Sequence, residues 1–329
     1  MRFLGYLQRL AWWLLLACLG PPVAAADEAW QAPHLRDHPL VDRIWASAEG
    51  RYVEPAELRA QIDGHRLILL GEVHVNPDHH RLQRRVIQWL LAEGRRPALA
   101  FEMFDRQDQA ALDRLTLAGA SDVDRLAEAT DFSARGWEWP LYRPLVTLGV
   151  EHDLPLIAAN LSRKQATRVA REGLQVLGEE RLQALGLYEP LPQRLRERLE
   201  SEILEGHCGQ ISRQMAAAMA DAQRARDATM ADSLLEAPSD GAVLIAGAGH
   251  VRRDYAVPYY LGRRSPEADT VSLAFVPVTE GDEQAQAYQP VLGNAVFDYL
   301  WFTPRQQSAS PCEAFQEELQ RLDNSAGNA

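Results

Sequence analysis

Leu67-Ile68-Leu69-Leu70 runs directly into Gly71-Glu72-Val73-His74, and Ala242-Val243-Leu244-Ile245-Ala246 runs into Gly247-Ala248-Gly249-His250. Each is a short apolar run closed by Gly-x-x-His. Short apolar runs bounded by polar or turn residues read as fully buried strands, and three more occur: Ala98 to Phe101, Leu156 to Ala159 and Val271 to Val276. Helical patterns lie between them. Asn76 can cap a helix with Pro77 in its first position, and Leu82, Val86, Trp89 and Leu90 recur at helical spacing until Gly94. Strands alternating with helices imply an α/β fold, a mainly parallel central sheet flanked by helices. From Arg163 to about Ala237 no strand pattern appears, so this block reads as a helical insertion or lid on a domain spanning 27–302. In it, Ile211, Met215, Met219, Met230 and Leu234 share one helix side and are expected to pack in the core. Residues 303–329 read as a polar tail.

In an open parallel sheet, ligands bind at the carboxyl ends of the strands. Both histidines should therefore stand at one edge, where the strand from Ala98 delivers Glu102 and the strand from Leu156 delivers Asn160. Neutral imidazole and carboxylate are ligands for zinc, manganese or iron(II). His74, His250, Glu72 and Glu102 are thus a candidate set for a divalent metal that activates water. The same groups could relay protons without metal. Either use predicts His74 and His250 close together, with Glu102 between their strands.

The chain has 329 residues, and its 46 Asp plus Glu exceed its 34 Lys plus Arg, which argues against nucleic acid as a partner. Arg2 and Arg9 precede an apolar run from Leu10 to Leu19, and small residues follow through Ala26, the pattern of a secretory signal over 1–26. That run is too short to span a bilayer. Leu15-Leu16-Ala17-Cys18 also resembles a lipobox. Acylation of Cys18, with Leu19 after it, would give a periplasmic lipoprotein held at the outer membrane by lipid alone. The alternative is cleavage after Ala26. Cys208 and Cys312 are the thiols left in an oxidising compartment, and the sequence leaves their pairing open.

Leu70-Gly71-Glu72-Val73-His74, Asn76-Pro77-Asp78-His79-His80, Phe101-Glu102-Met103-Phe104, Trp139-Pro140-Leu141-Tyr142-Arg143-Pro144, Ala158-Ala159-Asn160-Leu161, His207-Cys208-Gly209, Ala222-Gln223-Arg224-Ala225-Arg226-Asp227-Ala228 and Gly247-Ala248-Gly249-His250-Val251-Arg252-Arg253-Asp254 occur in this order. Together they resemble the ChaN-like haem-binding uptake family of the Tiki/TraB superfamily. The resemblance implies a cell-envelope protein that holds or transfers ferric haem at the crevice, works with outer-membrane haem-uptake machinery and can form a homodimer. It also implies an alternative, since superfamily members include metal-dependent peptidases and erythromycin-esterase-like hydrolases; their motifs map onto Glu72, His74, Glu102 and His250. A hard phenolate ligand suits iron(III), which points to Tyr255, Tyr259 or Tyr260 after His250, and then to Tyr142. Arg143, Arg252, Arg253, His79 and His80 are the candidate propionate donors. Asn160 and His207 are candidate crevice and lid contacts, and Gln223 and Asp227 share one helix face from which to reach the strand ends.

Overall fold

The computed structural model describes residues 29–118, 123–288, 295–308 and 312. The expected export signal over 1–26, with Cys18, lies outside the described residues, as does most of the expected tail. Eight strands form one sheet: β1 (Ile44–Ala46), β2 (Arg51–Val53), β3 (Leu67–Glu72), β4 (Ala98–Asp105), β5 (Leu156–Asn160), β6 (Ala242–Gly247), β7 (Thr270–Pro277) and β8 (Tyr299–Thr303). Their order is β2-β1-β8-β7-β3-β6-β4-β5. The six strands from β8 to β5 are parallel, while β1 runs antiparallel to both β2 and β8.

All five strands expected from the apolar runs are present. Each reaches at least one residue further toward its carboxyl end than the apolar run. The other three strands were not anticipated. β1 and β2 have three residues each, too few for a period to show. β8 is a five-residue aromatic run between Asp298 and Pro304, a signal that could have been read.

Every residue of β3 is buried, as expected for a central parallel strand covered on both faces. Its side chains alternate. Ile68 and Leu70 join a core with Leu82 and Val86 of α2 (Pro77–Ala92) and Leu145 of α5 (Trp139–Glu151). Leu67 and Leu69 join the opposite core, with Ala228 and Leu234 of α9 (Arg213–Leu235) and Leu261 of α10 (Val257–Arg264). Full burial of each such leucine stabilises by about 1.5–3 kcal/mol, so the two cores fix which face of β3 each helix layer meets. Helix α2 begins as its sequence predicts, since the Asn76 side chain accepts the Asp78 N–H at 3.0 Å.

The block from Arg163 contains α6 (Arg163–Glu172), α7 (Glu179–Ala184), α8 (Gln193–Gly206) and α9, with no strand among its described residues. Its longest helix belongs to the sheet-covering layer. Ala225, Ala228, Ala231 and Met230 are buried against the strands, so core packing holds for Met230 and Leu234. It does not hold for Met215, which sits in the first turn of α9 and is 52 % exposed, while its neighbour Ala216 is the buried residue there. At the turn between α8 and α9, Cys208 forms a disulfide with Cys312 and so settles a pairing that the sequence left open.

Gly71 is required by a close approach. A β-carbon there would meet Val251 Cγ2 at 2.4 Å and Ala248 Cα at 2.9 Å, so only glycine lets the turn after β6 lie against β3.

The outer strand β5 is closed by a side chain. Gln109, the first residue of α3 (Gln109–Ala118), donates to the Leu156 carbonyl at 2.8 Å and accepts the Ala158 N–H at 2.9 Å. It thereby satisfies the two groups that a further strand would bond. Gln109→Ala is expected to lower unfolding stability by roughly 1–3 kcal/mol, as measured by denaturant titration. A loss below about 0.5 kcal/mol, within the range of ordinary surface changes, would mean that water replaces the amide at no cost.

Candidate functional site

Strands β3, β6 and β4 end side by side and present Glu72, His74, Glu102 and His250 at one carboxyl-terminal crevice. One expectation needs correction: β6, which leads to His250, lies between β3 and β4, so the strand of Glu102 flanks the pair instead of separating it. The Glu102 side chain closes the distance. Its Oε2 accepts the Gly247 N–H at 2.8 Å, and its Oε1 lies 3.2 Å from His250 Nε2. A β-carbon at Gly247 would stand 3.0 Å from His74 Nε2 and 3.6 Å from Glu102 Oε2, so both groups overhang that one glycine.

Glu72 is buried and anchors His74. Its carboxylate accepts from Tyr142 OH at 2.5 Å, from Gln83 Nε2 at 2.6 Å and from His74 Nδ1 at 2.9 Å, and His80 Nδ1 lies 3.3 Å away. Burial opposes ionisation of Glu72 most strongly, yet the neighbouring His80 and His74 and the hydrogen bonds outweigh it and hold the carboxyl below its usual range. With Nδ1–H committed to Glu72, His74 turns Nε2 to the crevice. Its side chain keeps 38 % of its surface exposed, and the Trp137 ring meets it edge-on at 4.8 Å.

His250 has the opposite character. Nδ1 lies 2.5 Å from Asp227 Oδ1 of α9, Nε2 faces Glu102, and the Gln223 amide is 3.1 Å from Nε2. Burial disfavours the charged ring, but Glu102 and Asp227 outweigh it and push the imidazole up to about 10. The same burial raises Asp227 to about 6 despite His250, and it is overcome at Glu102, which His250 holds well below the usual carboxylate range. Near neutral pH, His250 is thus an imidazolium clamped between two carboxylates.

The other expected residues divide. His80 joins the Glu72 cluster and donates to the His74 carbonyl at 2.8 Å. Buried His79 is pushed down to about 3 by desolvation; it accepts from Val73 N–H at 2.8 Å and donates to Thr303 at 2.9 Å, a neutral strut under the His74 loop. Asn160 bonds the Glu102 carbonyl at 2.9 Å. Tyr142, Tyr255 and Tyr260 are buried, and burial holds each phenol protonated. Tyr259 is partly exposed, with Arg263 over its ring. Arg143 forks onto Asp124, Arg252 binds Glu202 and Asp254, and Arg253 binds Asp298. His207 ends α8 on the Ile203 carbonyl at 2.7 Å. Gln223 and Asp227 reach the strand ends from α9, as their shared helix face implies, and both meet His250 there.

A metal fits this arrangement poorly. Among the described residues no group of three or more His, Cys, Asp or Glu is placed to hold an ion, and both nitrogens of His250 are already directed at carboxylates.

The histidines set opposite pH limbs for stability. His250, raised from 6.5 to about 10, adds stability that is full below 6.5 and is lost as the pH climbs through 10. His79, lowered from 6.5 to about 3, adds stability that is present above 6.5 and is lost on acidification toward 3. Melting temperature measured between these limits should therefore peak near neutrality. In His250→Gln the alkaline decline should flatten, and a decline parallel to wild type would assign that limb to other groups.

A family model described as haem-binding uptake, Tiki superfamily, ChaN, matches residues 58–261. Among curated proteins none matches the chain significantly. The fold is similar to that of Campylobacter jejuni ChaN, solved with cofacially bound haem; the TM-score is 0.62 at 18 % identity, over 78 % of this chain and 95 % of that one. Weaker likeness extends to a Bacillus cereus protein (TM-score 0.45, 11 % identity, 76 % and 90 % covered) and to a mutant erythromycin esterase in its open conformation (0.42, 14 %, 70 % and 77 %). The match over most of the α/β domain identifies the chain as a member of the haem-binding uptake family of ChaN, within the Tiki superfamily.

Proposed function

We propose that this protein binds ferric haem over the carboxyl-terminal crevice and holds or passes it on during iron uptake. The observation that carries the reading is the presentation of His74. Its ring is oriented by Glu72, its Nε2 faces the crevice, and its loop is flanked by Val73 and Val75, which are 40 % and 38 % exposed. Exposed apolar side chains around an oriented polar group are the composition of a cofactor cradle. In this reading His74 is the nitrogen that would meet the iron, in preference to the buried phenols of Tyr142, Tyr255 and Tyr260. Bound haem would supply the iron centre; the chain supplies orientation through Glu72 and an apolar rim.

Hemin titrated into the protein lacking residues 1–26 should give an intense Soret band that survives prior treatment with chelator. His74→Ala should shift that band or weaken binding, while Tyr259→Phe should leave it unchanged. The reverse result would make Tyr259 the ligand, and no hemin uptake by wild type would end the haem reading.

The same reading places the protein in the cell envelope, anchored by acylated Cys18 and serving outer-membrane uptake machinery. The signal pattern over 1–26 supports it, as does the Cys208–Cys312 disulfide, a bond that persists in oxidising compartments. Cys18→Ala is expected to move the protein from the membrane to the soluble envelope fraction. Unchanged membrane retention would favour another anchor.

A further inference from the structure

The arginines that the sequence offered to a ligand carboxylate are already committed to protein carboxylates: Arg143 to Asp124, Arg252 to Glu202 and Asp254, and Arg253 to Asp298. One guanidinium on α9 differs. Arg226 stands three residues after Gln223 and immediately before Asp227, the two α9 side chains that touch His250. It is partly buried. Among the described residues it is the one partly buried arginine that makes no hydrogen bond, ion pair or ring contact. The charges that feel it through space are Asp105, at the end of β4, and Asp227. Asp105 has Arg135 at 3.4 Å, and Asp227 has His250 at 2.5 Å. Uncommitted positive charge is therefore held at the β4 side of the crevice, half withdrawn from water, where a charge-assisted hydrogen bond is strongest.

We propose that Arg226 receives a carboxylate of the bound ligand and thereby fixes which way round that ligand lies; resting on the haem reading, the carboxylate is a propionate. A carboxylate set down over β6 would meet no free cation, because His250 is already bonded to both Glu102 and Asp227. His74 follows β3, and the Asp105 carboxylate that feels Arg226 closes β4, with β6 between the two strands. A ligand held at His74 would reach Arg226 with its acidic edge turned toward α9.

The test compares hemin with its dimethyl ester, which has no propionate charge, on wild type, Arg226→Met and Arg226→Lys. Arg226→Met should bind hemin about tenfold more weakly, a fold typical of one such contact, and should bind the ester as wild type does. The Soret position should not move, because the iron ligand is untouched. Arg226→Lys should recover part of the loss. Equal weakening of hemin and ester would show a merely structural role, and no weakening of either would remove Arg226 from recognition; both overturn the proposal. If wild type binds neither compound, the haem reading and this inference fall together, whereas normal wild-type binding with an unaffected variant overturns this inference alone.

Discussion

One buried anion holds the crevice together. Glu72 closes β3 with its side chain out of water, and its hydrogen-bond donors come from Gln83 on α2, Tyr142 on α5 and His74 in the loop after the strand. Taking a carboxylate out of water costs several kcal/mol unless its lone pairs are filled. Here the three donors fill them, and two of these, Gln83 and Tyr142, are themselves buried. The requirement is mutual: Tyr142 and Gln83 would be left without an acceptor if the carboxylate were lost. A single group thus sets the distance between β3 and two helices, and also the direction in which His74 points.

His250 solves the converse problem, a buried cation with a carboxylate on each nitrogen. One of its partners comes from the sheet and the other from α9, so the helix above the crevice is fastened to the strands by charge as well as by the apolar packing of Ala225, Ala228 and Leu234. Sites whose fixed charges are already paired reorganise little when a ligand arrives. The two Gly-x-x-His segments therefore do different work despite their shared spelling. The first exposes an oriented imidazole, and the second locks the floor beneath it.

The central strands were legible because burial on both faces leaves an uninterrupted apolar run, as in Leu67 to Leu70. The short antiparallel pair β1 and β2 was not, because three residues carry no periodicity and their pairing is settled by β8, far along the chain. The residues that gather at the crevice were also legible, from the rule that parallel strands deliver ligands at their carboxyl ends. Their chemical states were not. Whether His250 is a ligand or a clamped cation depends on Asp227, which a helix brings from elsewhere, and whether Tyr255 is available depends on the α8–α9 packing that buries it. Sequence spacing reports local direction; protonation reports three-dimensional neighbours.

The ends of the sheet carry a consequence for assembly. At one end the Gln109 amide imitates the hydrogen bonds of an absent neighbour, and at the other β2 offers a ledge three residues long. Neither end is a template on which a second chain could continue the ladder. Growth of the sheet from one copy into the next is thus blocked at one end and given little backbone at the other.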